Sequence, residues 1–160
     1  MVVSDAGPPI ALGRLDLLHL LTQQFSEVQV PQQVIQECIQ RTASADTARS
    51  QAALASGWLT PCDAAPIDEE SLGAGERSAI ARALEIGAGL LVDDMEARLY
   101  AAGRGIPTTG TLGVLVLVRA RLSGAVASVK PSIEQLRASG QRLGAGVVAQ
   151  ALAAAGEGDE

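Results

Sequence analysis

The chain has 160 residues, 48% of them apolar, enough for one domain with a sizeable core, and its 18 acidic against 12 basic residues give a net charge of −6. That balance argues against a protein that grips nucleic acid mainly through a basic surface. No stretch approaches the roughly 18 uninterrupted apolar residues of a membrane span, and the N-terminus lacks a basic region followed by a long apolar run, so a cytoplasmic protein without membrane contact is expected.

Met1 to Ser4 reads as a brief apolar strand, after which Ser4 or Asp5 can cap a helix begun by Gly7-Pro8-Pro9, proline suiting a first turn. Leu15 to Leu21 continues as a strongly apolar second helix. Glu27 to Val30 alternates as a strand stopped by Pro31, which starts a helix carrying Val34, Ile35, Cys38 and Ile39 on one side. Residues 46–56 are Ala-rich and helical, Trp58-Leu59 begins an extended piece, and Cys62 to Glu70 is the surface loop. Gly75-Glu76 opens a helix that Gly87 to Gly89 ends. Leu90 to Val92 is a short apolar strand of the buried parallel kind. Asp93-Asp94 caps the helix Met95 to Ala102, Ile106 to Thr109 is a further strand, Thr111 leads into a helix over Leu112 to Leu122, and Lys130-Pro131 opens another near Ser132 to Ala138. The domain is expected to span residues 1–156, followed by a disordered tail over 157–160. Cys38 and Cys62 match neither a disulfide framework nor a metal-site spacing and read as reduced thiols.

Strands and helices alternating at this spacing predict an α/β sandwich of three layers, α/β/α, with a short central parallel sheet. Ligands of such sheets bind at the carboxyl ends of the strands. Asp5 and the pair Asp93-Asp94 follow strands directly, and Glu37 and Glu76 lie on helices that can reach the same edge. Carboxylates gathered there without His or Cys suit a hard cation such as Mg²⁺ or Mn²⁺, which takes oxygen ligands. If these five acids converge, they supply five negative charges against the net −6, and the acidity is then local to a site. Eleven of the twelve basic residues are Arg, which leaves phosphate recognition open. Each acid also has a plain structural role: Asp5, Asp93 and Asp94 as helix caps, Glu76 as a partner of a helix dipole, Glu37 as a solvated side chain.

Five ordered stretches resemble the successive motifs of a prokaryotic PIN-like family related to the VapC-type toxins. They are Val2 to Leu12, Val30 to Glu37, Gly75 to Ala81, Leu91 to Arg98 and Thr109 to Leu115. The resemblance runs from about residue 2 to Gly156. It implies a PIN fold and a Mg²⁺- or Mn²⁺-dependent ribonuclease acting on RNA, often paired with a small antitoxin protein, and it favours a homodimer. Carried over residue by residue, Asp5 matches the first metal-binding aspartate and Glu37 the acid of the second motif. Glu76 takes the third acidic position, where many relatives have Asp; Asp93 or Asp94 takes the fourth. Thr111 matches the Ser/Thr that supports the site. Gly7 and Pro9 depart from the usual residues after the first Asp, and neither change removes a carboxylate.

Other acidic-pocket folds fit less well. A response-regulator receiver needs a Lys after a late strand, whereas Lys130 opens a helix, and a haloacid-type phosphatase needs Asp-x-Asp where Asp5 is followed by Ala6 and Gly7. The alternative of a different class is a catalytically weak PIN-like module that binds RNA or protein. His19, with no second His or Cys beside it, reads as structural. Arg98, four residues after Asp94, is placed either to pair with it or to meet a phosphate.

Overall fold

The computed structural model describes residues 1–41, 52, 55–122 and 124–158. In chain order these form β1 (Val2–Ser4), α1 (Gly7–Arg14), α2 (Leu20–Gln24), β2 (Val28–Pro31), α3 (Gln32–Arg41), β3 (Thr60–Cys62), α4 (Ala74–Ile86), β4 (Gly89–Leu91), α5 (Met95–Ala102), β5 (Thr108–Thr109), α6 (Thr111–Arg121), α7 (Lys130–Ala138) and α8 (Ala145–Ala154). The strands build one sheet in the order β3-β2-β1-β4-β5, with every neighbouring pair parallel. This is the three-layer α/β sandwich the sequence predicts. Val3, Val28, Val30, Leu90 and Leu91 are almost wholly buried, which is why these strands read as short apolar runs instead of alternating ones. Helix α4 packs on β1, β2 and β4 and against α3, while α1, α2 and α8 gather around α6.

The sheet order places the site. Winding runs outward from β1 through β2 to β3, then restarts on the other side with β4 and β5, so the direction reverses between β1 and β4. At such a switch point the connections leave in opposite directions and open a crevice at the carboxyl ends of the two strands. Ser4 pairs with Leu91 across this boundary, and the Asp5 N–H donates to the Leu91 carbonyl at 2.9 Å.

Several elements depart from the sequence reading. The helix expected over residues 15–21 is broken, because Asp16 adopts a left-handed conformation with φ 57° that Asp tolerates better than most residues. Leu15, Leu18, Leu20 and Leu21 are still buried, so a turn followed by α2 satisfies the same apolar pattern. Pro31 is the last residue of β2 and pairs with Cys62, which belongs to β3 and not to the loop. Strand β5 is confined to Thr108–Thr109. Helix α8 adds an element that the sequence reading does not contain. The helix expected over 46–56 falls largely outside the described residues. Glu157, expected to begin a disordered tail, is tied down: it accepts from the Ser128 hydroxyl at 2.6 Å and the Val129 N–H at 3.0 Å, and pairs with Arg119 at 2.9 Å. No helix among the described residues is long and apolar enough to cross a membrane.

Candidate active site

Asp5 leaves β1 into the crevice and is 7% exposed. It does not cap the following helix: Ala6 occupies that position with no side-chain hydrogen bond, and Pro8 and Pro9 in the first turn have no N–H to satisfy. Ser4 is not the cap either, since its hydroxyl donates to the Asp5 carbonyl at 2.9 Å. The Asp5 Oδ1 atom is buried without a hydrogen-bond partner. Burial pushes this carboxyl from the ordinary 3.8 up to about 6, against the lowering effect of the Ala6 N–H; the charges of Glu76 and Glu37 raise it and Arg41 lowers it. A buried acid without a full set of partners destabilises a fold, and it persists where something other than packing requires it.

The other acids are held by backbone amides. Glu37, on α3, accepts the Gly75 N–H through Oε1 at 2.8 Å, which joins the middle of α3 to the first turn of α4. A Cβ on Gly75 would stand 2.5 Å from Glu37 Oε2, so a larger residue fits only if that carboxylate moves aside. Glu76 curls back to accept the Gly73 N–H at 2.9 Å. Its carboxyl is nevertheless raised, by burial first and then by Asp94, Glu37 and Glu96, with the Gly73 N–H opposing. Its capping role is therefore real, and it also lies within the field of the neighbouring acids.

The Asp93-Asp94 doublet divides its labour. Asp94 is exposed and caps α5, accepting the Ala97 N–H at 2.9 Å. Asp93 reaches instead to the start of α6, where Oδ1 accepts the Thr111 N–H at 2.7 Å and Oδ2 accepts the Thr111 hydroxyl at 2.6 Å. A Cβ on Gly7 would come within 3.1 Å of Asp93 Oδ2, and one on Gly110 within 2.9 Å of Oδ1, so both glycines give this carboxylate room. Arg98 makes no ion pair with Asp94; it lines a cleft beside Asp93.

Cys38 is a buried thiol pushed up to about 12, first by burial and then by the charge of Asp5, which leaves it inert. His19 packs its ring 5.9 Å from that of Trp58, in keeping with a structural role.

The family model DUF3368, described as a PIN domain, matches residues 1–157. The chain belongs to the PIN-domain family. Among solved structures it is similar to a PilT N-terminus domain protein, SSO1118, from the hyperthermophilic archaeon Sulfolobus solfataricus P2, with a TM-score of 0.55 and 17% identity over 77% of this chain and 95% of that one. A comparison with curated proteins finds no match. The PIN domain is a nuclease-type fold, which gives the acid-lined crevice at the switch point its chemical context.

Among the described residues of this PIN domain, no three His, Cys, Asp or Glu side chains are placed to hold a metal ion together. The fit to a divalent cation rests on Asp5: its unpartnered Oδ1 is a hard oxygen donor in a crevice where Glu37 and Glu76 add negative charge. Three features of the site were not visible in the sequence, namely the Gly75 N–H that holds Glu37 and the space that Gly7 and Gly110 leave for Asp93. Each pairs a glycine with an acid far away in sequence, 38 residues for Gly75 and Glu37, 17 for Gly110 and Asp93 and 86 for Gly7 and Asp93, a relation that only the fold reveals.

Proposed function

We propose that this PIN domain is a divalent-metal-dependent ribonuclease that hydrolyses RNA phosphodiester bonds. The observation that carries the reading is Asp5, a carboxyl at the switch-point edge that is buried, unused as a cap and missing a partner at Oδ1. Mg²⁺ or Mn²⁺, when bound, supplies an activated water near neutral pH and offsets the charge of the phosphate. Asp5 would hold the ion, with Glu76, Asp93 and Asp94 as the further carboxylates. Thr111, donating twice to Asp93, fixes the orientation of that side chain. Glu37 has Oε1 tied to Gly75, so Oε2 is the atom that orients the attacking water.

The finer reading, a toxin with a small antitoxin partner, is supported by the ordered motifs that resemble those of a family related to the VapC-type toxins. A homodimer is supported by Met95 and Leu99, 55% and 67% exposed one turn apart on α5. A cytoplasmic location goes with both. A second reading, a catalytically weak module that binds RNA or protein, draws on the engagement of Glu37, Glu76, Asp93 and Asp94 with hydrogen-bond donors and on the absence of a three-residue metal cluster among the described residues. Incubation with RNA in Mn²⁺ and in EDTA separates them. Cleavage confined to Mn²⁺ supports the ribonuclease, and RNA bound but intact in both sinks it.

A further inference from the structure

A cleft of about 440 Å³ opens beside the acid edge, between the start of α6 and α8, and of its lining the chemistry above uses Asp93 alone. Leu112, Val116 and Val147 supply apolar walls, and Asp93, Arg98 and Arg142 also line it. Asp93 Oδ1 and Arg98 Nη1 lie 2.9 and 3.4 Å from one point, the position a Gly110 Cβ would take, so the cleft adjoins the site at Asp93. Neither Arg98 nor Arg142 forms an ion pair among the described residues, in contrast to Arg82, which pairs with Glu85, and Arg119, which pairs with Glu157.

Arg98 is half-buried and Arg142 exposed, and what singles them out is their place: in a chain of net charge −6, both line one small concavity beside Asp93. A guanidinium left without a carboxylate is suited to bidentate contact with phosphate. Aliphatic walls can cover the faces of one base without an aromatic platform. The volume falls within the roughly 300–1,000 Å³ of small-ligand pockets, whereas a helix laid in a groove needs anchor sites spread over two turns.

We propose that this cleft is a nucleotide subsite: it takes the base of one unpaired ribonucleotide next to the scissile phosphate, with Arg98 on the adjoining phosphate. The proposal rests on the ribonuclease reading for the position of the scissile bond. A base can enter only when it is out of the helical stack, so the subsite selects single-stranded RNA over duplex.

The test is fluorescence anisotropy in EDTA, where binding is read without cleavage. The probes are a short labelled single-stranded oligoribonucleotide, its duplex, and copies carrying an abasic residue at each position in turn. The proteins are the full chain and its Val147→Trp and Arg98→Gln variants. Each variant should weaken binding of the single strand by at least about tenfold, the equivalent of one lost charged contact. One abasic position should weaken binding to the wild type and have no effect on Val147→Trp, and the duplex should bind worse than the single strand. If Val147→Trp fails to melt cooperatively, Arg98→Gln decides. Unchanged binding by Arg98→Gln, a flat abasic scan, or equal affinity for duplex overturns the subsite. Loss of a co-expressed protein partner from both variants, with RNA binding intact, also overturns it and assigns the cleft to protein. Base-dependent binding by a wild type that cleaves nothing in Mn²⁺ keeps the subsite and sinks the ribonuclease. Cleavage with an unchanged KM in both variants does the reverse.

Discussion

Asp5→Asn should stabilise the metal-free protein at neutral pH while removing its activity. The folded carboxyl sits at about 6 against an ordinary 3.8, so between those values the folded state binds more protons than the unfolded chain. Stability from this group is therefore fully present below pH 3.8 and is lost as pH rises through about 6. At about 1.4 kcal/mol per pH unit the whole loss is about 3 kcal/mol, and about 1.4 kcal/mol of it falls between pH 5 and pH 8. Asparagine carries no charge in either state. Any cost of burying its amide is the same at both pH values and cancels in the comparison. Melting curves in EDTA should thus show the variant gaining on the wild type by about 3–6 °C between pH 5 and pH 8, using about 2–4 °C per kcal/mol for a chain of this size. Mn²⁺ at about 100 times its dissociation constant should return about 2.7 kcal/mol to the wild type and nothing to the variant. A gap that is constant with pH, or a variant less stable than the wild type by the same amount throughout, would refute the buried-charge argument.

Further outcomes follow from the hydrogen bonds around the other acids. Thr111→Val keeps the N–H to Asp93 but removes the hydroxyl donor, and should lower stability by about 1–3 kcal/mol in thermal melts, with a fall in cleavage. Gly75→Ala puts a Cβ 2.5 Å from Glu37 Oε2 and should detach that carboxylate, reducing kcat more than it raises KM in steady-state assays. Asp93→Asn should cost more cleavage than Asp94→Asn, because asparagine still caps α5 at residue 94 whereas at residue 93 its amide meets two donors from Thr111; the opposite ranking would make Asp94 the working carboxylate.

How far the sequence could be read depended on whether a feature is local. The apolar run Leu90 to Val92, the prolines opening α1 and α7, and the glycine ending α4 each act within a few residues, so the corresponding elements emerged near their true bounds. The parallel sheet followed from alternation alone, but its order β3-β2-β1-β4-β5 depends on which strands bury each other and carries no local mark. Leu15 to Leu21 misled because a turn through left-handed Asp16 buries the same leucines as a helix would. Helix α8, rich in alanine and containing Gly146, lacks the capping residues that announce a start. At the site, the acids themselves were legible from their positions after strands and at helix starts. Their division of labour was not, since Glu37 is fixed by an amide 38 residues away and Asp93 by a threonine 18 residues away.

The most direct measurement is the rate of Mn²⁺-dependent cleavage of single-stranded RNA by the wild type and by Asp5→Asn, prepared identically and shown to be folded. The buried, unpartnered carboxyl at the switch point predicts a loss of at least about 10²-fold in the variant, the scale of losing an essential metal contact. Equal rates for the two proteins, or cleavage by the wild type that EDTA does not abolish, would contradict the account.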